Sequence, residues 1–334
     1  MKRDKLDSLI ILRAMAVTAV CFCHFGYALR AENFYNQLFV YFYEYGKYGV
    51  QTFFVVSGFV IPLSMYMARY TINHYFRFLG KRAIRLHPPY LAALAITLLI
   101  ASFSYRVRGV DYPETVESVV RSLFYFHFPA DNPVFWTLAV EAQYYLFIGL
   151  AYKFTVKTPR AFVFVLVPGL ILLGQSQLTE YVLFFSYILY FLLGMVGFMI
   201  YKKQGSKTLN LATLGVLLAL TYGLYGLVEF IVAAATIGFI LWYRGSMPKP
   251  VEFVGEISYS FYLIHFPVGI KFINLLNRYV DPSDKWVLFI LATAFTTALS
   301  WAFYKLFEEP FAKLSNRIKY NAPAPTYPIL EPEV

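Results

Sequence analysis

Two residues that lipid penalises stand in one apolar run near the N-terminus, Arg13 and His24 in "LIILRAMAVTAVCFCHFGYAL". Eleven positions at 100° per residue return the second to within about 20° of the first, so a helix carries both on one face, about 16 Å apart. That face holds a fixed positive charge and an imidazole able to take a proton from a hydroxyl near neutral pH. A structural reading fits the same spacing: Arg13 snorkels or pairs with Asp7 or Asp4, and His24 rests at the interface.

Two further pairs add to this chemistry. In "NPVFWTLAVEAQYYLF" Glu141 and Tyr145 are four apart and share a helix face. A buried glutamate needs a partner or a proton, and Arg13 or His24 could supply it, in a site or in a purely structural ion pair. In "HYFRFLGKRAIRLHPPY" Arg82 and Arg85 are three apart, with Lys81 and Arg77 nearby. Closely spaced arginines suit the diphosphate of a nucleotide carrier, and equally a topology signal held on anionic lipid.

Weaker candidates follow. Ser57, beside Gly58 and ahead of Pro62, fits helix packing better than nucleophilic attack. "ISYSFYLIHFP" sets Ser258, Tyr259, Ser260, Tyr262 and His265 in one run as a polar stripe able to line a cavity. His74, His87 and His127 lie in or near loops and take no role. No cluster has metal-ligand spacing, so no metal is expected, and there is no phosphate-binding glycine loop.

The elements that must position these residues are membrane helices. The 334 residues are 59% hydrophobic and only 14% charged, against about 25% charged in a soluble domain. The fold class expected is all-α and polytopic, with ten spans near 7–27, 46–66, 88–105, 134–153, 161–176, 181–201, 209–226, 228–244, 257–277 and 286–307. With the N-terminus inside, 20 Lys and Arg fall in inner segments and 8 in outer ones, which makes both termini cytoplasmic. The net charge of +10 therefore reflects topology and not nucleic-acid binding. Cys21 and Cys23 are expected to pack, not to bridge. The first run is expected to be a retained helix, 67–87 a basic inner loop, and 104–133 an acidic, aromatic outer loop. The Pro-rich tail, 312–334, is expected to be disordered and cytoplasmic.

Together these elements resemble the acyltransferase-3 family of bacterial integral membrane acyltransferases. The likeness runs through "LRAMAVTAVCFCH", "GKYGVQTFFVVSGF", "KRAIRLHPPY", "FWTLAVEAQYYLF", "ISYSFYLIHFP" and the closing "FEEPF", in the family's order over roughly 5–311. One departure is "GVQTFF", where Gln51 and Thr52 follow a Val that many members follow with an acidic residue. The resemblance implies a transferase domain over 1–311 in the bacterial cytoplasmic (inner) membrane. Acyl-CoA would be the co-substrate, acetyl ahead of succinyl, and the acceptor a hydroxyl of a glycan or lipid-linked saccharide. It implies His24 as general base on the acceptor hydroxyl or on an intermediate nucleophile, Arg13 near the donor end, Glu141 orienting or pairing with the imidazole or arginine, Tyr145 donating a hydrogen bond or briefly carrying the acyl group, and Arg82, Arg85 and Lys81 at the coenzyme's phosphates. Some members carry an added hydrolase-like domain; none is seen here, so the expectation is either direct acylation, the favoured course, of a lipid-linked or nascent polysaccharide, or hand-over to a separate protein. The rival readings are a saccharide or lipid transporter or flippase, and a scaffold in polysaccharide export. Oligomeric state is open.

Overall fold

The structure, a computed structural model, describes residues 6–30 and 37–320, and every regular element among them is helical. Asp4, offered above as a partner for Arg13, and the tail after Tyr320 lie outside the described residues. Helix α1 runs Asp7–Leu29, with Asp7 in its first turn, where a carboxylate suits the helix dipole. It is followed by α2 (Gln37–Gly46), α3 (Gly49–Met67), α4 (Tyr75–Arg108), α5 (Val116–Leu123) and α6 (Trp136–Val156). Then come α7 (Pro159–Gly174), α8 (Ile188–Tyr201), α9 (Lys207–Tyr225) and α10 (Leu227–Trp242). The chain closes with α11 (Lys249–Glu256), α12 (Ser258–Ile264), a π-helical stretch His265–Ile270, α13 (Lys271–Leu276), α14 (Lys285–Phe303), another π-helical stretch Tyr304–Glu308 and α15 (Glu309–Ser315).

Among the described residues six helical stretches are long and apolar enough to cross a membrane: Asp7–Leu29, Gln37–Met67, Ile72–Arg108, Pro133–Val156, Lys207–Tyr225 and Pro282–Ser315. Helices α7, α8 and α10 are shorter apolar helices, and the segment 258–276 is divided by its π-helical stretch. Six of the ten expected spans thus fall on helices of crossing length, and the other four fall on shorter or interrupted segments that do not reach it. Cys21 and Cys23 are free and buried, as packing residues.

The expected inner loop 67–87 is the main departure. Its second half is helical from Tyr75, continuous with the apolar part of α4. Thr71 and His74 close a capping box just ahead of it, and nothing between Tyr75 and Pro88 breaks a helix. Tyr70 fixes the entry by donating to the Gly149 carbonyl at 2.7 Å. The helix therefore carries its basic residues at helical spacing. Beyond α4, His127 Nε2 lies 2.8 Å from Glu114 and Lys271 Nζ 2.6 Å from Asp131. Burial of the Tyr112 hydroxyl, beside Glu114 and Asp131, pushes that phenol up to about 12. At the other end, α15 carries the chain through Ser315, and Tyr320 stacks on His74 with ring centres 5.3 Å apart.

Two apolar clusters make up the interior. One gathers α3, α6, α8 and their neighbours; the other gathers α1, α4, α12 and α14. Glycines set the closest crossings. A Cβ on Gly58 would fall 2.3 Å from the Phe191 carbonyl oxygen, and one on Gly194 2.2 Å from that of Val55, so α3 and α8 touch backbone to backbone. In α1 and α2, a Cβ on Gly46 would fall 2.3 Å from the Ala19 oxygen. Gly194→Ala is therefore expected to cost about 1–3 kcal/mol through overpacking. Gly215→Ala, with no atom within 4 Å of the added Cβ, should leave the melting temperature in detergent unchanged or raise it.

Candidate active site

The face of α1 that carries Arg13 and His24 lies against one partner along its length, the segment from α11 to the π-helical stretch His265–Ile270. A Cβ on Gly255 would fall 2.6 Å from the Ile10 carbonyl oxygen, Arg13 Nε donates to Ser258 Oγ at 3.1 Å, and the His24 ring sits 5.3 Å from that of His265 and 5.1 Å from that of Phe266. The two segments run in the same direction. Arg13 thus turns to a neighbouring helix and not back along its own to Asp7.

Ser258 and Ser260 are held from two sides. Ser258 Oγ donates to the Gly255 carbonyl at 2.8 Å. On the far side, the buried carboxylate of Glu308 accepts from Ser260 N–H at 3.0 Å and from Ser260 Oγ at 2.6 Å. Arg13 and Arg85 both lie within electrostatic range of Glu308. This carboxylate was not foreseen, because the expected tenth span ended at 307, one residue short of it. The signal was available in the double acid of "FEEPF" at the close of an apolar run.

Between α4, α6 and α12 lies a cavity of about 250 Å³ lined in part by Arg82, His87, Tyr125, Glu141, Tyr145 and Tyr259. Glu141 Oε1 accepts from Ser57 Oγ at 3.3 Å and, through a short hydrogen bond, from the Tyr145 hydroxyl. Arg82 Nη2 donates to Ser64 Oγ at 2.9 Å, and its guanidinium lies 5.6 Å from the centre of the Tyr145 ring. The pair Glu141 and Tyr145 shares one helix face, as their spacing requires, and α4 brings Arg82 to it. The hydrogen-bond partners of Glu141 are hydroxyls, and Arg13 stands within electrostatic range of it.

His87 is the second unforeseen residue. It closes the expected loop 67–87, yet α4 is helical through it, and His87 faces the cavity about one and a half turns beyond Arg82. Its Nδ1 lies 3.0 Å from the Tyr125 hydroxyl, and Tyr125 sits at φ 64°, a left-handed conformation that costs a non-glycine residue. His24 is not part of this cavity's lining.

The other expected residues are dispersed. Arg85 stands within range of Arg13, Arg82 and Glu308. Lys81 lies 5.9 Å from the Tyr320 ring. Tyr259 lines the cavity and donates to the Leu86 carbonyl at 2.8 Å. Tyr262 does not reach the cavity: its hydroxyl donates to Val134 O at 3.2 Å and accepts from Thr137 at 2.8 Å, which locks it into the interior. His265 is fully buried against His24.

These features define a helical membrane protein whose buried carboxylates, guanidiniums and imidazoles converge on the junction of two apolar clusters. The chain belongs to the acyltransferase-3 family: the family model described as "Acyltransferase domain" matches residues 6–305. It is similar to the O-acetyltransferase OatA of Staphylococcus aureus, in strain NCTC 8325 / PS 47 and in strain COL, at 25% identity over 327 residues, covering 80% of this chain and 53% of each relative. The chain thus spans about half the length of the curated relatives it matches. No solved structure matches it.

Removing the Glu308 carboxylate would leave two buried donors of Ser260 without an acceptor. Glu308→Ala is expected to lower stability by about 1–3 kcal/mol for each donor left unpaired. Glu308→Gln, which keeps an acceptor oxygen, should lower it less; thermal unfolding of the two variants in detergent gives the comparison.

Proposed function

We propose that the chain is a membrane O-acyltransferase that moves an acyl group, acetyl first, from cytoplasmic acyl-CoA to a hydroxyl of a lipid-linked or nascent cell-surface polysaccharide. Its place would be the bacterial cytoplasmic membrane. Family membership and the O-acetyltransferase relatives support the reaction class. The observation that carries the reading is the cavity in which Arg82, Glu141 and Tyr145 meet within the helices. At about 250 Å³ it lies just below the usual range of small-molecule sites and suits the acyl-thioester end of a donor more than a whole coenzyme. The coenzyme's phosphates would then lie toward Arg85 and Lys81.

In the reaction, His24 takes the proton of the acceptor hydroxyl as that oxygen bonds to the thioester carbonyl carbon. The carbon–sulfur bond breaks, and the proton returns from the imidazolium to the leaving thiolate. The Arg82 guanidinium supplies positive charge where negative charge develops. Glu141, held by Ser57 and Tyr145, keeps that charge in place.

A second assignment of the base rests on one specific observation: His87 lines the cavity and His24 does not. The two are separated by kinetics. With the purified chain in proteoliposomes and acetyl-CoA as donor, His24→Ala is expected to lower thiol release and ester formation by about 10²–10⁴-fold, with His87→Ala retaining most of the rate. The reverse result would move the base to His87, and saccharide flux without thiol release would identify a transporter. Arg82→Ala is expected to lower kcat by about tenfold or more with KM for acetyl-CoA little changed, the equivalent of one charge-assisted hydrogen bond made in the transition state.

A further inference from the structure

The run "YLIHFP" fixes one imidazole before any ligand arrives. His265 opens the π-helical stretch, where an N–H bonds five residues back. His265 Nδ1 lies 2.8 Å from the Tyr262 oxygen and 3.2 Å from that of Phe261. Carbonyl oxygens only accept, so Nδ1 must carry the proton, and a neutral His265 then presents a bare lone pair at Nε2. That nitrogen is buried and has no hydrogen-bond partner, in a side chain with 0% exposure. The neighbouring ring is His24, 5.3 Å away and inclined at 37°. Half-buried, His24 has no hydrogen bond of its own among the described residues to oppose a turn about its side-chain bonds.

From this geometry we infer that His265 is the positioning residue for His24: its Nε2 accepts the N–H of one His24 ring nitrogen and leaves the other as the free base. The inference rests on the reading of His24 as general base. No proton passes to His265. It sets the tautomer and angle of His24, the part that a third group plays behind a base in nucleophile–base–orienter arrangements. In the resting state the rings are inclined at 37° with no hydrogen bond between them; the bond forms as His24 turns toward the acceptor, since catalytic hydrogen bonds commonly tighten only in the substrate complex.

Two amides separate this role from a structural one. In His265→Gln the amide oxygen stands near the place of Nε2 and can accept from His24. In His265→Asn the amide nitrogen stands near the place of Nδ1 and keeps the bond to Tyr262, with no acceptor toward His24. Membrane vesicles from cells producing the full chain are supplied with radiolabelled acetyl-CoA, and base-labile label in saccharide is followed. His265→Asn is expected to lose on the order of ten- to a hundred-fold in kcat, as on loss of a partner that orients a histidine, with KM for acetyl-CoA unchanged. His265→Gln should retain most of the rate. If Asn matches or exceeds Gln, the bond to Tyr262 is what matters and the positioning role is overturned. His24→Ala is the separate arm: if it stays active, the general-base reading falls and this inference with it. If it is inactive while both His265 variants work at the full rate, only the positioning role falls.

Discussion

A buried carboxylate sets the geometry of the whole polar interior. Glu308 takes both the N–H and the hydroxyl of Ser260, and two residues earlier Arg13 takes Ser258. The start of α12 is thereby held between the first and last long helices, and hydrogen bonds in so apolar a place are costly to lose. Everything downstream inherits that register. Tyr259, between the two serines, is directed to the cavity. Tyr262, one turn on, is locked by Thr137 and Val134, and His265 arrives beside His24.

The polar groups survive because they lie where two apolar clusters meet and not inside either. Tyr145 belongs to one cluster and Tyr259 to the other, while Val50 and Leu86 pack against both. Within each cluster, glycine contacts bring backbones together and exclude polar atoms, as Gly58 and Gly194 do. Such tight packing on both sides leaves the junction as the place where volume remains for a cavity. Charges there are screened little, so each one acts on its neighbours over a longer reach than it would in water.

Periodicity made part of this legible from the residues alone. The eleven-residue offset of Arg13 and His24 put both on one face, and both do face the same segment. The four-residue offset of Glu141 and Tyr145 brought them into hydrogen-bond contact. What periodicity cannot give is the partner across the gap, and there the expectations were thinner. Glu141 bonds to Ser57, a residue weighed mainly as packing. His87 falls at the end of the expected loop 67–87, yet α4 is helical through it and through the two prolines that follow. Glu308 fell outside the expected span because hydropathy ends a helix at its first charges, whereas the helix itself continues as long as hydrogen bonds and packing support it. The basic stretch before Pro88 failed for the same reason: charge density looked like a loop, while helix propensity and the cap at Thr71 made it the first turns of α4.

The segment Ser258–His265 is also a wall. Tyr259 shows one side of it to the cavity that holds Arg82 and Glu141, and His265 shows the other to His24. A transfer that uses both sides has to bring the acyl carbonyl past Tyr259. The described polar tie of that side chain is one hydrogen bond, to the Leu86 carbonyl, a bond of roughly 0.5–1.5 kcal/mol net. The backbone behind it is fixed far more firmly, by Arg13 on one side and Glu308 on the other. Two ties then act together: the Tyr262 and Phe261 carbonyls fix the orientation of His265 through its Nδ1, and the bonds from Ser260 to Glu308 keep the wall in place.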